Sequence, residues 1–357
     1  MSETGVPERG VPERGAAPTD DTLAAPFARI ADAAMALIAE TGWGLEVESV
    51  RRLATERDDT VLVTHRAGRH VLKVAHPLDD PVLLDFQLSA MRHALGRDAG
   101  LPLARQLPDV DGAVLRTVVG AGGEPRLARV LDYLEGVLLD YDVTTPEQRE
   151  QVGRATGRLS AALADFEHPG SVRVLAWDLQ QLGTLRPLLE HVADPVARAL
   201  VEAELDAYDE HVGAALRATR QQVVHNDVNT DNVVVDPADP SFVTGVLDFG
   251  DSVHGSVVAD LAVAVSYAVG AGASGNVWDP GFDVVRGFLS VRPLTSDETE
   301  LLPHLVRARF AQRLLLNSWL AASDPANAHY TGRAIARTTA TYRRLVEAPA
   351  PSGREGD

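Results

Sequence analysis

The sequence predicts an α+β fold of two lobes: a small N-terminal lobe built on a five-stranded antiparallel sheet, then a larger, mainly helical C-terminal lobe. Three observations carry this. Short β-branched or alternating runs crowd the first third of the chain, "SVRRLA", "TVLVTH", "HVLKVA", "AVLRTVV" and "RLARVLDYL", with the period of two that strands need. The apolar spacing then lengthens to that of helices, over about 146–166, 178–191 and 195–219 and again to about 347. Between those helical blocks lies "VVHNDVNTDNVVV", residues 223–235, where a His, two Asp and three Asn stand between runs of valine.

The elements follow in order. Residues 1–24 hold the tandem repeat "GVPERGVPERG", whose Gly, Pro and charge cannot bury a face, so a disordered tail is expected; residues 348–357 read the same way. Ile30, Ala33, Ala34, Leu37 and Ile38 share one helical face, which predicts a helix over 27–40 with Gly42 placed to stop it. Three antiparallel strands come next, separated by "TERDD" and "RAGR", and Lys73 lies on the third. A helix over about 81–95 and a hairpin across "GAGGEP" complete a lobe spanning 25–136. A hinge near Tyr133–Gly136 leads into the second lobe, 137–347, and the cleft between lobes is the natural place for a ligand.

Composition excludes several functions. The formal charge of −18 and the lack of a basic stripe argue against a nucleic-acid partner. No apolar run approaches the roughly 20 residues of a membrane span, and no basic segment followed by an apolar one opens the chain, so a cytoplasmic address is expected. With no cysteine, disulfides, thiolate metal sites and cysteine nucleophiles are out of reach. The histidines at 65, 70 and 76 have no metal-site spacing and read as surface residues. Of the 33 basic residues only Lys73 is lysine, which suggests a cramped site where a compact point charge is needed and arginine's planar fork is not tolerated.

The polar stretch and its neighbours form a constellation suited to phosphoryl transfer. Asp227 is followed five residues later by Asn232, then comes the separate triplet Asp248-Phe249-Gly250, and Lys73 sits far upstream on a strand. Phosphoryl transfer builds negative charge on oxygens in line between nucleophile and leaving group, so the protein chiefly positions reactants and supplies positive charge. In such a site Asp227 takes the proton of the attacking hydroxyl, Asn232 and Asp248 offer hard oxygens to magnesium, and Lys73 reaches the nucleotide phosphates. His225 reads as a loop anchor.

On these residues, and on "LATERDDTVLVTHRAGRHVLKVAHP", "ARVLDYLEGVLL", "GVLDFGDSV" and "VVADLAVAVSYA", the chain resembles the aminoglycoside phosphotransferase superfamily, with its protein-kinase-like fold, and within it the hydroxylysine kinase-like branch. The likeness spans about residues 25–347 and implies small-molecule phosphorylation with ATP or GTP and Mg2+. It implies that the backbone of Leu131, Asp132, Tyr133 and Leu134 holds the purine and that Asp260 braces the catalytic loop; Asp251 is a candidate for the acceptor site. The chain departs from protein kinases at Asn226, where they carry Arg, and in three further places. "TERDD" has no glycine, so its amides or Arg57 must cover the phosphates. The helix carboxylate that should pair with Lys73 is open between Asp85 and the non-acidic Gln87. Only eleven residues separate Asp248 from Asp260, too few for an activation segment, which points away from a protein substrate.

The expected acceptor is a small, cationic, hydroxylated molecule, an amino alcohol or a hydroxylated amino acid such as hydroxylysine, since an acidic protein suits an ammonium. An aminoglycoside acceptor is the alternative, and a catalytically inactive nucleotide-binding module the third. Arg307, Arg309 or Arg313 can meet a substrate carboxylate, although arginines on a helix face are commonly solvated.

Overall fold

A computed structural model describes residues 27–348, apart from 54, 56, 57, 273, 274 and 324–327. The expected N-terminal tail, the C-terminal tail beyond Ala348 and Arg57 lie outside the described residues. The fold is α+β and kinase-like, as the sequence predicts.

The first helix, α1, runs Asp32–Trp43 and ends at Gly44, whose φ of 67° supplies the left-handed residue that closes a helix. The expected helix began at residue 27 and stopped at Gly42. It starts later because the chain at 27–31 is held extended against the sheet, where the Ile30 amide donates to Asp59 Oδ2 at 3.2 Å. Gly42 stays helical.

Strands β1 (Val47–Arg52), β2 (Asp59–His65) and β3 (Gly68–Val74) form an antiparallel meander, and helix α2 (Pro81–Arg97) follows. The sheet has six strands rather than five, because β4 (Gln106–Leu107) joins β5 (Arg116–Val119) along the far edge of β6 (Pro125–Asp132). Two residues are too few to show a strand period; only their pairing with Val130 and Leu131 makes them a strand. One apolar cluster, including Met35, Trp43, Val61, Val63, Leu72 and Val130, lies between α1 and the sheet. The buried face of α2, by contrast, belongs to the larger cluster of the helical body through Leu88, Ala90, Met91 and Ala94.

After β6 the chain crosses to β7 (Val137–Leu138), then builds α3 (Pro146–Ala162), a 3₁₀ segment at Leu179–His191, α4 (Pro195–Ala207) and α5 (Gly213–Ala218). The single helix expected over 195–219 is divided by a π turn at Tyr208–Val212, where Tyr208 is buried and its hydroxyl donates to the Leu179 carbonyl at 2.8 Å. Strands β8 (Gln221–Val224), β9 (Val233–Val235), β10 (Val243–Val246) and β11 (Val253–Ser256) come next, followed by α6 (Val257–Ala268), α7 (Asp279–Leu289), α8 (Ser296–Ser323) and α9 (Ala328–Glu347). Pairing is antiparallel throughout: β10 on β9, β9 on β7, and β11 on β8. Helices α3 and α7 meet at backbone contact, since a Cβ on Gly153 would lie 1.9 Å from the Val284 carbonyl oxygen.

Two histidines expected at the surface are buried. His65 faces His70, Nε2 to Nδ1 at 2.8 Å, and the His76 ring sits edge-on to Phe27 with centroids 4.8 Å apart. Among the described residues no helix is long and apolar enough to cross a membrane.

The first lobe is locked by Asp59, whose side chain is fully buried. Arg126, equally buried, donates to its Oδ2 at 2.7 Å, and Arg52 donates to Oδ1 at 2.8 Å. Removing one member of a buried ion pair strands the other charge, a loss of roughly 3–5 kcal/mol. Asp59→Ala is therefore expected to lower unfolding free energy by about that amount, read from the urea midpoint of the apo protein.

Candidate active site

The loop between β8 and β9 carries the polar stretch, and each of its residues is held by a different element. His225 is fully buried; its Nε2 donates to the Leu247 carbonyl at 2.9 Å and its Nδ1 accepts from the Asp227 amide at 3.2 Å. That pair of bonds sets the tautomer and makes the ring a strut between the Asp227 loop and the segment entering Asp248, with Phe249 packed edge-on at 4.8 Å. The loop-anchor reading of His225 matches this geometry. Asn226 adopts a φ of 65°, uncommon for a residue with a side chain, and its amide donates to Asp260 Oδ1 at 2.7 Å from within α6. Burial, the largest influence, pushes the Asp260 carboxyl upward, opposed by His225 and by the Asn226 amide.

Asp227 is bonded at both oxygens. Asn232 Nδ2 donates to Oδ2 at 2.7 Å and to the Asp227 carbonyl at 3.0 Å. Asn229 Nδ2 donates to Oδ1 at 2.8 Å, and Arg309 of α8 lies 3.5 Å from that same oxygen. The carboxylate is thus fixed between the Asn232 side and the α8 side.

Asn232 and Asp248 are brought together by the backbone, since the Leu247 amide donates to the Asn232 carbonyl at 2.8 Å. Asp248 has a φ of 56°, and its Oδ1 accepts from the Gly250 amide at 2.8 Å. Because Asn232 turns its nitrogen toward Asp227, its Oδ1 faces away, and no described residue donates to it. Asn232 Oδ1 and Asp248 Oδ2 are the hard oxygens left open. Two such ligands suit magnesium, which keeps several waters and phosphate oxygens in its shell. Among the described residues no group of three or more His, Cys, Asp or Glu offers a closed metal cage.

Asp251 lies beside this pair. Its carboxyl is pushed up to about 6, first by burial and then by the charges of Asp227 and Asp248, against the pull of Arg309 and Arg173. Arg173 clamps the same turn from outside, donating to the Ser252 carbonyl at 2.7 Å and to the Gly250 carbonyl.

Lys73 sits on β3 opposite Thr60 and Arg129. Its partner is neither Asp85 nor Gln87: Lys73 Nζ lies 3.4 Å from Asp58 Oδ2, which also accepts from Arg129 at 2.9 Å. Because α2 packs its apolar face into the helical body, Asp85 is drawn to His168 at 3.1 Å instead. Asp58 immediately precedes β2, and the register of β2 with β3 delivers it to Lys73. The adjacent Asp58 and Asp59 serve separate networks, which a reading of "TERDD" as a phosphate-covering turn does not reveal.

At the expected hinge, Leu131 is paired with both Val71 and Gln106, the Asp132 amide donates to the Arg105 carbonyl at 2.9 Å, and the Tyr133 amide to the Arg69 carbonyl at 3.4 Å. Of the four hinge residues, Leu134 alone has an amide with no hydrogen-bond partner among the described residues.

Arg309 is the residue that sequence reasoning misplaced. It is 1% exposed, donates to the Trp177 carbonyl and to Gln312 Oε1, both at 2.8 Å, and lies over the Trp177 ring at 5.0 Å. Leu302, Leu305, Arg309, Gln312 and Leu316 share the buried phase of α8. That spacing was the available signal: an arginine in phase with leucines is a buried one needing an internal partner.

Residues 49–294 match the sequence model of a family described as the phosphotransferase enzyme family, APH. Hydroxylysine kinase of Danio rerio is 30% identical over 301 residues, covering 81% of this chain and 83% of its own. Homoserine kinase of Sinorhizobium medicae is 30% identical over 278 residues, covering 74% and 77%. A solved amicoumacin kinase in complex with AMP-PNP, Ca2+ and Ami shares the fold at a TM-score of 0.67 and 16% identity, over 89% of this chain and 95% of that one.

The crowding of carboxylates yields a direct measurement. Asp248→Asn removes one of the two like charges on Asp251, so the Asp251 carboxyl should titrate below its value of about 6 in the unmodified protein. Carboxyl 13C NMR of the apo protein reads it; an unmoved titration would mean that the Asp248 charge does not contribute to the shift.

Proposed function

Because the chain belongs to the phosphotransferase enzyme family, in its hydroxylysine kinase-like branch, we propose that it moves the γ-phosphoryl group of ATP or GTP, with Mg2+, onto the hydroxyl of a small amine-bearing acceptor, an amino alcohol or a hydroxylated amino acid. The single observation that supports this best is the state of Asp227, pinned at Oδ2 by Asn232 and at Oδ1 by Asn229, with Arg309 alongside. A carboxylate fixed on both sides next to two open oxygen ligands is what in-line phosphoryl transfer asks of a protein.

In this reading the acceptor hydroxyl donates to Asp227. As its oxygen bonds to the γ-phosphorus, the bond to the β-bridging oxygen breaks and the hydroxyl proton passes to Asp227. Asn232 and Asp248 would hold the divalent ion, which when bound would supply positive charge to the phosphate oxygens. Lys73, oriented by Asp58, reaches the phosphates from the sheet. The purine edge lies along Leu131–Leu134, with the Leu134 amide as donor. Asp251, whose carboxyl is pushed up first by burial and then by the charges of Asp227 and Asp248, receives the acceptor's ammonium, which offsets that repulsion.

Turnover should collapse by at least ~100-fold in Asp227→Asn, the scale of a lost general base, while nucleotide binding by calorimetry persists. Undiminished turnover would remove Asp227 from the reaction. Lys73→Arg should be similarly impaired, because a planar fork does not fit where a point charge does; normal activity there would make the lone lysine incidental. Nucleotide consumption across hydroxylysine, homoserine, ethanolamine, choline and kanamycin, with ATP and with GTP, identifies the substrates. Phosphorylation of kanamycin alone would replace the small acceptor with an aminoglycoside.

A further inference from the structure

Helix α8 carries three arginines, Arg307, Arg309 and Arg313, and two are already occupied. Arg307 contacts His304 at 3.0 Å and approaches Glu204 at 4.0 Å. Arg309 is held by Trp177, Gln312 and Asp227. Arg313 differs: among the described residues no carboxylate lies within ion-pair reach of it and no group accepts its hydrogen bonds. Its guanidinium rests on the Tyr267 ring at 4.3 Å and beside Phe310 at 5.6 Å. Stacking of this kind fixes the plane of the guanidinium and leaves its N–H edge open to a bidentate anion.

The surroundings favour an anion there. Burial disfavours the Arg313 charge most, and the guanidiniums of Arg309 and Arg337 disfavour it further, while Tyr267 and Asp227 favour it. Arg337 is paired with Asp142 at 2.8 Å, so it is not a free competitor. In a chain of formal charge −18, a half-buried cation with no acid beside it among the described residues calls for an explanation. Nucleotide phosphate is the less suitable anion. Asp227 turns Oδ2 toward Asn232 on the metal side and Oδ1 toward Arg309 on the α8 side, and Arg313 follows Arg309 by four residues on the same helix face. One helical turn, about 5.4 Å, is also the scale separating a side-chain hydroxyl from the carboxylate of a short hydroxylated amino acid.

We propose that Arg313 is the carboxylate-binding residue of the acceptor site, stacked on Tyr267 one turn beyond Arg309, so that the enzyme selects hydroxylated α-amino acids over amino alcohols lacking the carboxylate. This rests on the small-acceptor reading above and narrows it to one chemical class. It also gives Tyr267 a role, as the platform that holds the fork.

Paired acceptors test it: hydroxylysine and homoserine, each against its decarboxylated amino alcohol, with wild-type protein, Arg313→Gln and Arg313→Lys. Wild type should prefer each amino acid that it phosphorylates by at least ~10-fold in kcat/KM. Arg313→Gln should raise KM for the amino acid by ~10–100-fold with kcat and nucleotide KM little changed, and bring the paired ratio close to one. Arg313→Lys should recover part of the preference. An unchanged preference in Arg313→Gln overturns the assignment while leaving the small-acceptor kinase intact. So does a wild-type protein that takes amino alcohol and amino acid equally, a result that needs no variant to fold. Kanamycin as the only acceptor would overturn both readings, since an aminoglycoside carries no carboxylate.

Discussion

The hydrogen bond from the Asn226 amide to the buried carboxylate of Asp260, 2.7 Å long, is the constraint on which the site depends. Asn226 sits at a φ of 65°, in the left-handed region that most residues with a Cβ avoid and that asparagine enters more readily. A carboxylate from α6 supplies a fixed acceptor for the amide that this conformation exposes, and the backbone after it leaves in the direction that puts Asp227 between Asn232 and Arg309. Asp248, at a φ of 56°, repeats the pattern by accepting the Gly250 amide with its own side chain. Left-handed backbone at two positions, each beside an amide bonded to a carboxyl oxygen, is how a rigid polar turn is held between buried valine strands.

The first lobe solves a related problem with consecutive aspartates. Asp59 is fully buried against Arg126 and Arg52 and ties the segment before α1 to the sheet, whereas Asp58 binds Lys73 and Arg129. Because neighbouring residues on an extended chain point to opposite sides, one short turn serves both the core and the Lys73 side of the sheet. The lone lysine is oriented without a helix carboxylate, and α2 is left free to pack with the helical body.

Much of this was legible from residue order. The alternating runs place β1, β2, β3, β5 and β6 with small boundary shifts, and the valine-flanked polar stretch marks its own turn. What periodicity leaves out are features defined by partners. The two-residue β4 exists only through Val130 and Leu131, the π turn at Tyr208–Val212 accompanies a buried tyrosine reaching Leu179, and His65 and His76 are covered by neighbours distant in sequence or on the facing strand.

Residue order alone pointed to phosphoryl transfer: an Asp, an Asn and a second Asp at fixed spacing, with one lysine upstream, narrow the functions open to a cysteine-free acidic chain. Those residue types carry oxygens and charge whatever surrounds them. The tertiary structure decided which of several like residues does what. Asp58 rather than Asp85 meets Lys73, Arg309 is consumed inside the protein, and Arg313 is left open on its aromatic platform. Identical side chains differ in role only through burial and neighbours, and those are set by the register of strands and the phase of helices far apart in the chain.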